Sequence, residues 1–198
     1  ADLMRHNFMT GEGALPGGSQ GMLWLMIAAS VAVKAAIWPL HAWLRGIVVK
    51  SPLPVGLLAS VLLTKLGLYG LLRFSVGMLP VAWAGFLPFI LVLAGLGIVL
   101  GALAAFVAED LGRALAYIAV AQTGVLLLTL TSSTEQGFDG VTLGLLAHGL
   151  TLAGLFALAT MPEARGGTRE TAAFGAPRSP ITGLPGFFLL FALSLAAP

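Results

Sequence analysis

The chain has 198 residues, of which 58% are hydrophobic and 9% charged, with a formal net charge of +2 and no cysteine. A soluble domain carries about 25% charged residues and about 45–50% apolar ones, so this composition has too few charges to clothe a water-facing surface. It describes an integral membrane protein and excludes a disordered chain, a collagen, a nucleic-acid module and a disulfide scaffold.

Residues 1–20 form a polar segment with no basic-then-apolar signal pattern and no initiating Met. Residues 21–198 follow as a transmembrane domain. A bilayer core roughly 30 Å thick needs about 20 apolar residues per helix, and six stretches meet that length: 22–44, 54–79, 86–108, 111–130, 140–161 and 181–198. Proline, glycine and charge punctuate the intervals 45–52, 80–85, 109–110 and 131–139, and a longer polar run covers 162–180. The third and fourth stretches are joined so tightly that they predict an antiparallel pair. The apolar runs are continuous and do not alternate with period two, which argues against strands. The expected fold is all-α, a polytopic transmembrane helical bundle. The final stretch reaches Pro198 while still apolar, so the chain is expected to be a fragment of a longer polypeptide.

Basic residues give the sidedness. Arg45, Lys50, Arg113, Arg165, Arg169 and Arg178 follow the odd-numbered spans, whereas Arg5 and Arg73 lie on the other side. This distribution predicts that the odd spans exit into the cytoplasm and that the N-terminus lies outside.

Within a bilayer an ionisable side chain costs about 2.5–3.5 kcal/mol or more at the midplane, which makes each one informative. Lys34 lies about twelve residues into the first span, followed by Trp38, Pro39, His41 and Trp43. Pro39 donates no backbone hydrogen bond and is expected to break the helix just beyond Lys34. Freed carbonyls at such a break are tolerated where they face protein or a water-filled cavity. A lysine there is a candidate for a wet proton-conducting site, the alternative being a lysine that snorkels to the interface. Lys65 lies in the second span, eight residues or about 12 Å from Arg73. A lysine held away from water can exchange between charged and neutral forms, which makes it usable as a proton carrier. His148 lies in the fifth span beside the small residues Gly149, Ala153 and Gly154; proton relay and simple packing fit it equally well. His41, after Pro39, fits a gate, a cap or a headgroup-level residue.

No redox or hydrolytic motif accompanies these residues. Without cysteine there is no cysteine-held iron–sulfur cluster, and no HExxH, P-loop or GxSxG occurs. No cofactor or metal site is expected in the chain. Gly95-Leu-Gly97 lies inside an apolar helix and reads as packing, and Glu109-Asp110 with Arg113 reads as a solvated connector.

The run Lys34-Ala-Ala-Ile-Trp-Pro39-Leu40-His41-Ala-Trp43-Leu44 resembles the Lys-x-x-x-x-Pro-Leu-His-x-Trp-Leu segment of the antiporter-like family. That family comprises the large membrane subunits of proton-pumping NADH:quinone oxidoreductase (respiratory complex I) and of Mrp cation/proton antiporters. Ser51-Pro-Leu-Pro-Val55 with Leu63-Thr-Lys65-x-Gly-x-Tyr69-Gly-Leu-Leu-Arg73 resembles its next helix. Asp110-Leu-Gly-Arg113-Ala-Leu-Ala116-Tyr117 is similar to its Asp-x-Lys-Arg-x-x-Ala-Tyr turn, and His148-Gly-Leu with Gly154-Leu-Phe156 to a later helix. Five blocks in order cover most of 31–198 and look closest to the chain-M type of complex I and the D-type Mrp subunit.

The resemblance implies a fold of two inverted five-helix repeats, with this chain holding the end of the first and the start of the second. It implies that Lys34 loads and releases the pumped proton on a discontinuous helix, that Lys65 is the connecting lysine, and that His148 belongs to the central hydrophilic axis. The glutamate partner of Lys34 and a later lysine or glutamate would lie outside the chain. Flavin, iron–sulfur clusters and quinone would be held by partner subunits of a complex in a bacterial inner membrane, with protons, or alternatively Na⁺, as the transported ion. The chain departs from the family pattern at three places: Arg45-Gly46-Ile-Val48 replaces Pro-Asp-Ala-His, Gly112 replaces a lysine, and Gln122 stands where histidine is common.

The expected function is proton translocation coupled to redox chemistry elsewhere, Lys34 alternating between charged and neutral forms as a carboxylate pairs and unpairs with it. An Mrp-type Na⁺/H⁺ antiporter subunit and a membrane-bound hydrogenase subunit are the alternatives within the family. From another class, a structural scaffold with inert lysines predicts that Lys→Leu is silent.

Overall fold

A computed structural model of the chain describes residues 17–166 and 183–196, with side chains over 19–161 and 183–195. Most of the polar segment 1–20, the Arg169 and Arg178 region and the ends of the 181–198 stretch lie outside the described residues, as does the side chain of Arg165. The described chain is all helical, with no strand among these residues. In order come α1 (Gly17–Lys34), α2 (Ala42–Lys50), α3 (Leu53–Val76), α4 (Pro80–Phe106), α5 (Leu111–Thr131), α6 (Glu135–Gly166) and α7 (Leu184–Ala196). Among the described residues four helices, α3 to α6, are long and apolar enough to cross a membrane; α1 and α7 are shorter apolar helices.

The first apolar stretch is split. α1 ends at Lys34, five residues before Pro39. The stop is made by Ala36, whose φ of 53° is left-handed. The Ile37 N–H then donates to the Ala32 carbonyl (3.0 Å) and the Ala36 N–H to Val33 (3.1 Å). These two bonds form a Schellman cap, a motif that usually places glycine at the left-handed position. Alanine is retained here with its methyl fully buried. The helix therefore ends through its own cap ahead of Pro39, and the Trp38–Pro39 peptide that follows is cis.

Local chemistry sets the other boundaries. Pro80 opens α4, where its missing N–H would have no intrahelical partner. The Asp110 carboxylate caps α5 by accepting from the Arg113 N–H at 2.7 Å. Thr134 Oγ1 does the same for the Gly137 N–H at the start of α6 (3.0 Å). Replacing Asp110 by Ala is expected to destabilise the protein by about 1 kcal/mol, read as a lowered thermal midpoint in detergent with membrane levels unchanged.

Small residues let the helices approach. A Cβ on Gly101 would lie 2.9 Å from the Ala121 nitrogen, and one on Gly124 2.9 Å from the Ala94 carbonyl. The α4–α5 pair is thus an antiparallel hairpin packed backbone to backbone. Two apolar clusters form the interior. One gathers Trp24, Leu68, Trp83, Leu126, Leu127 and Leu145; the other Leu44, Leu53, Leu115, Val120, Leu152 and Phe156. The turn after α1 stitches them, with Ala35 and Ile37 in the first and Ala36 in the second.

Candidate functional site

Several polar side chains of the interior occupy the seam between those clusters. On α3, Ala59 belongs to one cluster and Leu68 to the other; Ser60, Thr64 and Lys65 lie between them and are buried. On α6, His148 lies between Leu145 of one cluster and Leu152 of the other. On α5, Thr123 lies between Val120 and Leu126 in the same way. Apolar residues on both sides confine charge to this layer.

Lys65 is 9% exposed and its Nζ has no hydrogen-bond partner. α3 and α6 meet where a Cβ on Gly149 would lie 3.8 Å from Val61. α3 is wound as a π-helix over Ala59–Leu63 and again over Leu71–Val76, on either side of Lys65. π-Turns pair residues five apart, which brings Ser60 about one turn below Lys65. Ser60 Oγ is fully buried and also lacks a partner, while Thr64 Oγ1 donates to the Ser60 carbonyl at 2.5 Å. Two buried polar atoms without partners on one turn make a site suited to an ordered water.

Lys34 approaches from the broken segment. A Cβ on Gly67 would lie 2.5 Å from the Ala35 nitrogen, so α3 crosses directly over the end of α1, two residues beyond Lys65 and one beyond Lys34. Lys34 itself is exposed at the surface of the chain. It is the last residue of α1, where a cation suits the negative end of the helix dipole. Its side chain is therefore not buried by the residues described, unlike Lys65. The helix end beside it is held by Trp43, whose indole Nε1 donates to the Val33 carbonyl at 2.7 Å. Trp43→Phe removes that bond and is expected to cost about 0.5–1.5 kcal/mol, measured as a lower thermal midpoint.

His41 belongs to a different group. Its ring is tilted against Tyr117 at a centroid distance of 6.1 Å, and Arg45 Nη1 donates to the Tyr117 hydroxyl at 3.3 Å. This cluster joins the start of α2 to the first turns of α5. Pro39 is exposed in the connecting segment. The structure thus places Lys65 and His148 at the same seam on helices that pack together, sets Lys34 at the neighbouring helix crossing, and keeps His41 apart with Tyr117. Ser60 and Thr64 escaped the sequence reading, although hydroxyls at i and i+4 beside a mid-span lysine were an available signal. Among the described residues no group of three His, Cys, Asp or Glu could hold a metal.

Residues 7–198 match the family described as NADH:quinone oxidoreductase/Mrp antiporter, TM. The chain belongs to this family. Its relatives within the NADH:quinone oxidoreductase/Mrp antiporter family include NADH-quinone oxidoreductase subunit M of Rhodobacter capsulatus, 35% identical over 89% of this chain and 34% of the relative. Subunit M of Escherichia coli K12 is 33% identical over 91% of this chain and 35% of the relative. Among solved structures, a chain of respiratory complex I from Thermus thermophilus with bound NADH aligns with a TM-score of 0.81 at 31% identity. That alignment covers 92% of this chain and 39% of the other. The chain accordingly spans about a third of the length of the curated relatives it matches. The expected all-α membrane fold and the antiporter-like resemblance agree with these relatives and with the helical structure.

Proposed function

We propose that the chain is part of a proton-translocating membrane subunit of NADH:quinone oxidoreductase, at the junction of its two inverted repeats. Lys65 is its buried proton carrier, Lys34 the group that loads it, and His148 the next acceptor. The observation that carries this reading is Lys65 Nζ, buried without a partner at the seam, on a helix that packs against α6 at Gly149, the residue next to His148. A lysine so placed does little for stability, since desolvating a charge with no compensating bond is unfavourable. Proton exchange gives it a use. Lys34, exposed on this chain, faces the rest of the subunit, where a carboxylate pairs with it in one state and leaves it in another. The pairing favours the ammonium and its loss favours release.

The driving energy comes from partner subunits that hold the flavin, iron–sulfur clusters and quinone, and it reaches this chain through coupled charges along the membrane. The subunit lies in a bacterial inner membrane with the N-terminal end of this chain outside, and its ion is H⁺. The relatives above carry the name NADH-quinone oxidoreductase, which favours this branch over an Mrp-type Na⁺/H⁺ antiporter or a hydrogenase.

The test is proton translocation by the purified complex in proteoliposomes. Lys34→Ala and Lys65→Ala are each expected to lower translocation by tenfold or more while the subunit assembles at normal levels. Full translocation by both variants overturns the proposal. Mass spectrometry of the same preparation reads the branch: flavin and iron–sulfur proteins for the oxidoreductase, small antiporter subunits for the alternative.

A further inference from the structure

A second set of polar side chains lies beyond His148, where α5, α6 and α7 meet. Thr151 is three residues after His148 on α6, hence on the same side of that helix, and is 6% exposed. Its Oγ1 lies 3.1 Å from Ser194 Oγ on α7, and either oxygen can be the donor. Thr151 Oγ1 also lies 2.9 Å from the Ala147 carbonyl, one turn back toward His148, and can donate to it. One residue beyond Ser194, the Leu195 carbonyl accepts from Gln122 Nε2 of α5 at 3.1 Å, while Gln122 Oε1 is buried without a partner. The Gln122 bond fixes the rotation of α7 that turns Ser194 toward Thr151.

The hydroxyl of Thr151 thus has two possible acceptors, the Ala147 carbonyl one turn back on its own helix and Ser194 Oγ on α7. A structural hydroxyl on an apolar helix needs only the first, which satisfies its proton within its own helix. The second partner on another helix makes a reversible chain. We propose that Thr151 and Ser194 carry protons between His148 and the α7 side of the bundle, extending the path of the proposed function, on which this inference rests. The balance is that of a hydroxyl chain. Thr151 Oγ1 takes a proton from the His148 side as its own passes to Ser194 Oγ, and Ser194 releases its original proton on the α7 side. Rotation of both hydroxyls back to their first acceptors resets the chain, with no net charge left on either oxygen. The path requires a water between His148 and Thr151, and Gln122 Oε1, buried without a partner, offers an acceptor on the far side.

The experiment uses the whole complex in proteoliposomes and reads protons translocated per NADH oxidised, together with subunit levels, for Lys65→Ala, Thr151→Val, Thr151→Ser and Ser194→Ala. Thr151→Val keeps the shape and removes the hydroxyl. It is expected to lower translocation at least tenfold, as is Ser194→Ala, whereas Thr151→Ser restores it to within twofold of the parent. Parental translocation by Thr151→Val, with Lys65→Ala inactive, overturns the hydroxyl path and leaves the proposed function standing. Full translocation by Lys65→Ala overturns the proposed function instead. If Thr151→Val fails to assemble, Ser194→Ala decides, and parental translocation by that variant overturns the inference. Failure of Thr151→Ser to rescue, at normal subunit levels, also overturns it, because a size requirement then explains the loss.

Discussion

Lys65→Leu is expected to abolish proton translocation while leaving the fold as stable as before, or more stable. The two effects run in opposite directions for one physical reason. Lys65 Nζ is buried with no hydrogen-bond partner, so the parent chain bears the cost of a polar group removed from water without compensation. A leucine fills a similar space between Ala59 and Leu68 and carries no such cost; apolar replacements of buried charges are commonly neutral or stabilising by about 1–4 kcal/mol. Translocation is lost because the proton has no carrier at the seam. Lys65→Arg separates charge from transfer. Guanidinium keeps the positive charge but does not deprotonate in proteins, so this variant is expected to be as inactive as the leucine one. Thermal unfolding and translocation measured on the same preparations give both readings. An arginine variant that translocates at the parental rate means that fixed charge is enough, and Lys65 is then no carrier. A leucine variant that translocates fully favours the scaffold reading.

Gly67→Ala is expected to have the largest effect on folding. Its Cβ would lie 2.5 Å from the Ala35 nitrogen, 2.8 Å from the Ala35 Cα and 2.9 Å from the Ala35 Cβ. The first two are main-chain atoms of the turn that ends α1, and Ala35 is fully buried, so the contact is not relieved by a side-chain rotation. Overpacking in a well-filled interior costs about 1–3 kcal/mol, sometimes more. The loss is expected to appear as a lowered thermal midpoint and less chain in the membrane. Gly95→Ala is the control, since nothing lies within 4 Å of the position its Cβ would take. Equal behaviour of the two variants would mean that α3 and α1 do not cross this closely. The crossing bears on function as well as folding, because it holds the backbone of Lys65 near that of Lys34.

Sequence by itself determined the membrane class, the helical fold and the family resemblance. Bilayer thickness turns continuous apolar runs into helix lengths, and the cost of intramembrane charge singles out Lys34, Lys65, His148 and His41 without coordinates. The boundary at Asp110 before α5 was equally legible, whereas Pro80, read as part of the 80–85 interval before a span at 86, opens α4 instead, because its missing N–H suits the first helical turn. The end of α1 was not legible either, because it depends on Ala36 holding a left-handed φ, and nothing in an Ala-Ala-Ile run announces what glycine normally would. Pro39 drew attention to the neighbourhood while the cap had already stopped the helix five residues earlier. Tertiary structure alone decided which charge is covered. Lys34 and Lys65 look alike as lysines within apolar runs, yet one ends a helix at the surface of the chain and the other is enclosed by α3 and its neighbours. It also decided that Thr151, Ser194 and Gln122 share a site, because polar residues on separate helices meet only when close packing fixes the rotation of each helix about its axis. Hydropathy records which residues avoid water; it carries no information about which of the remaining polar groups face one another.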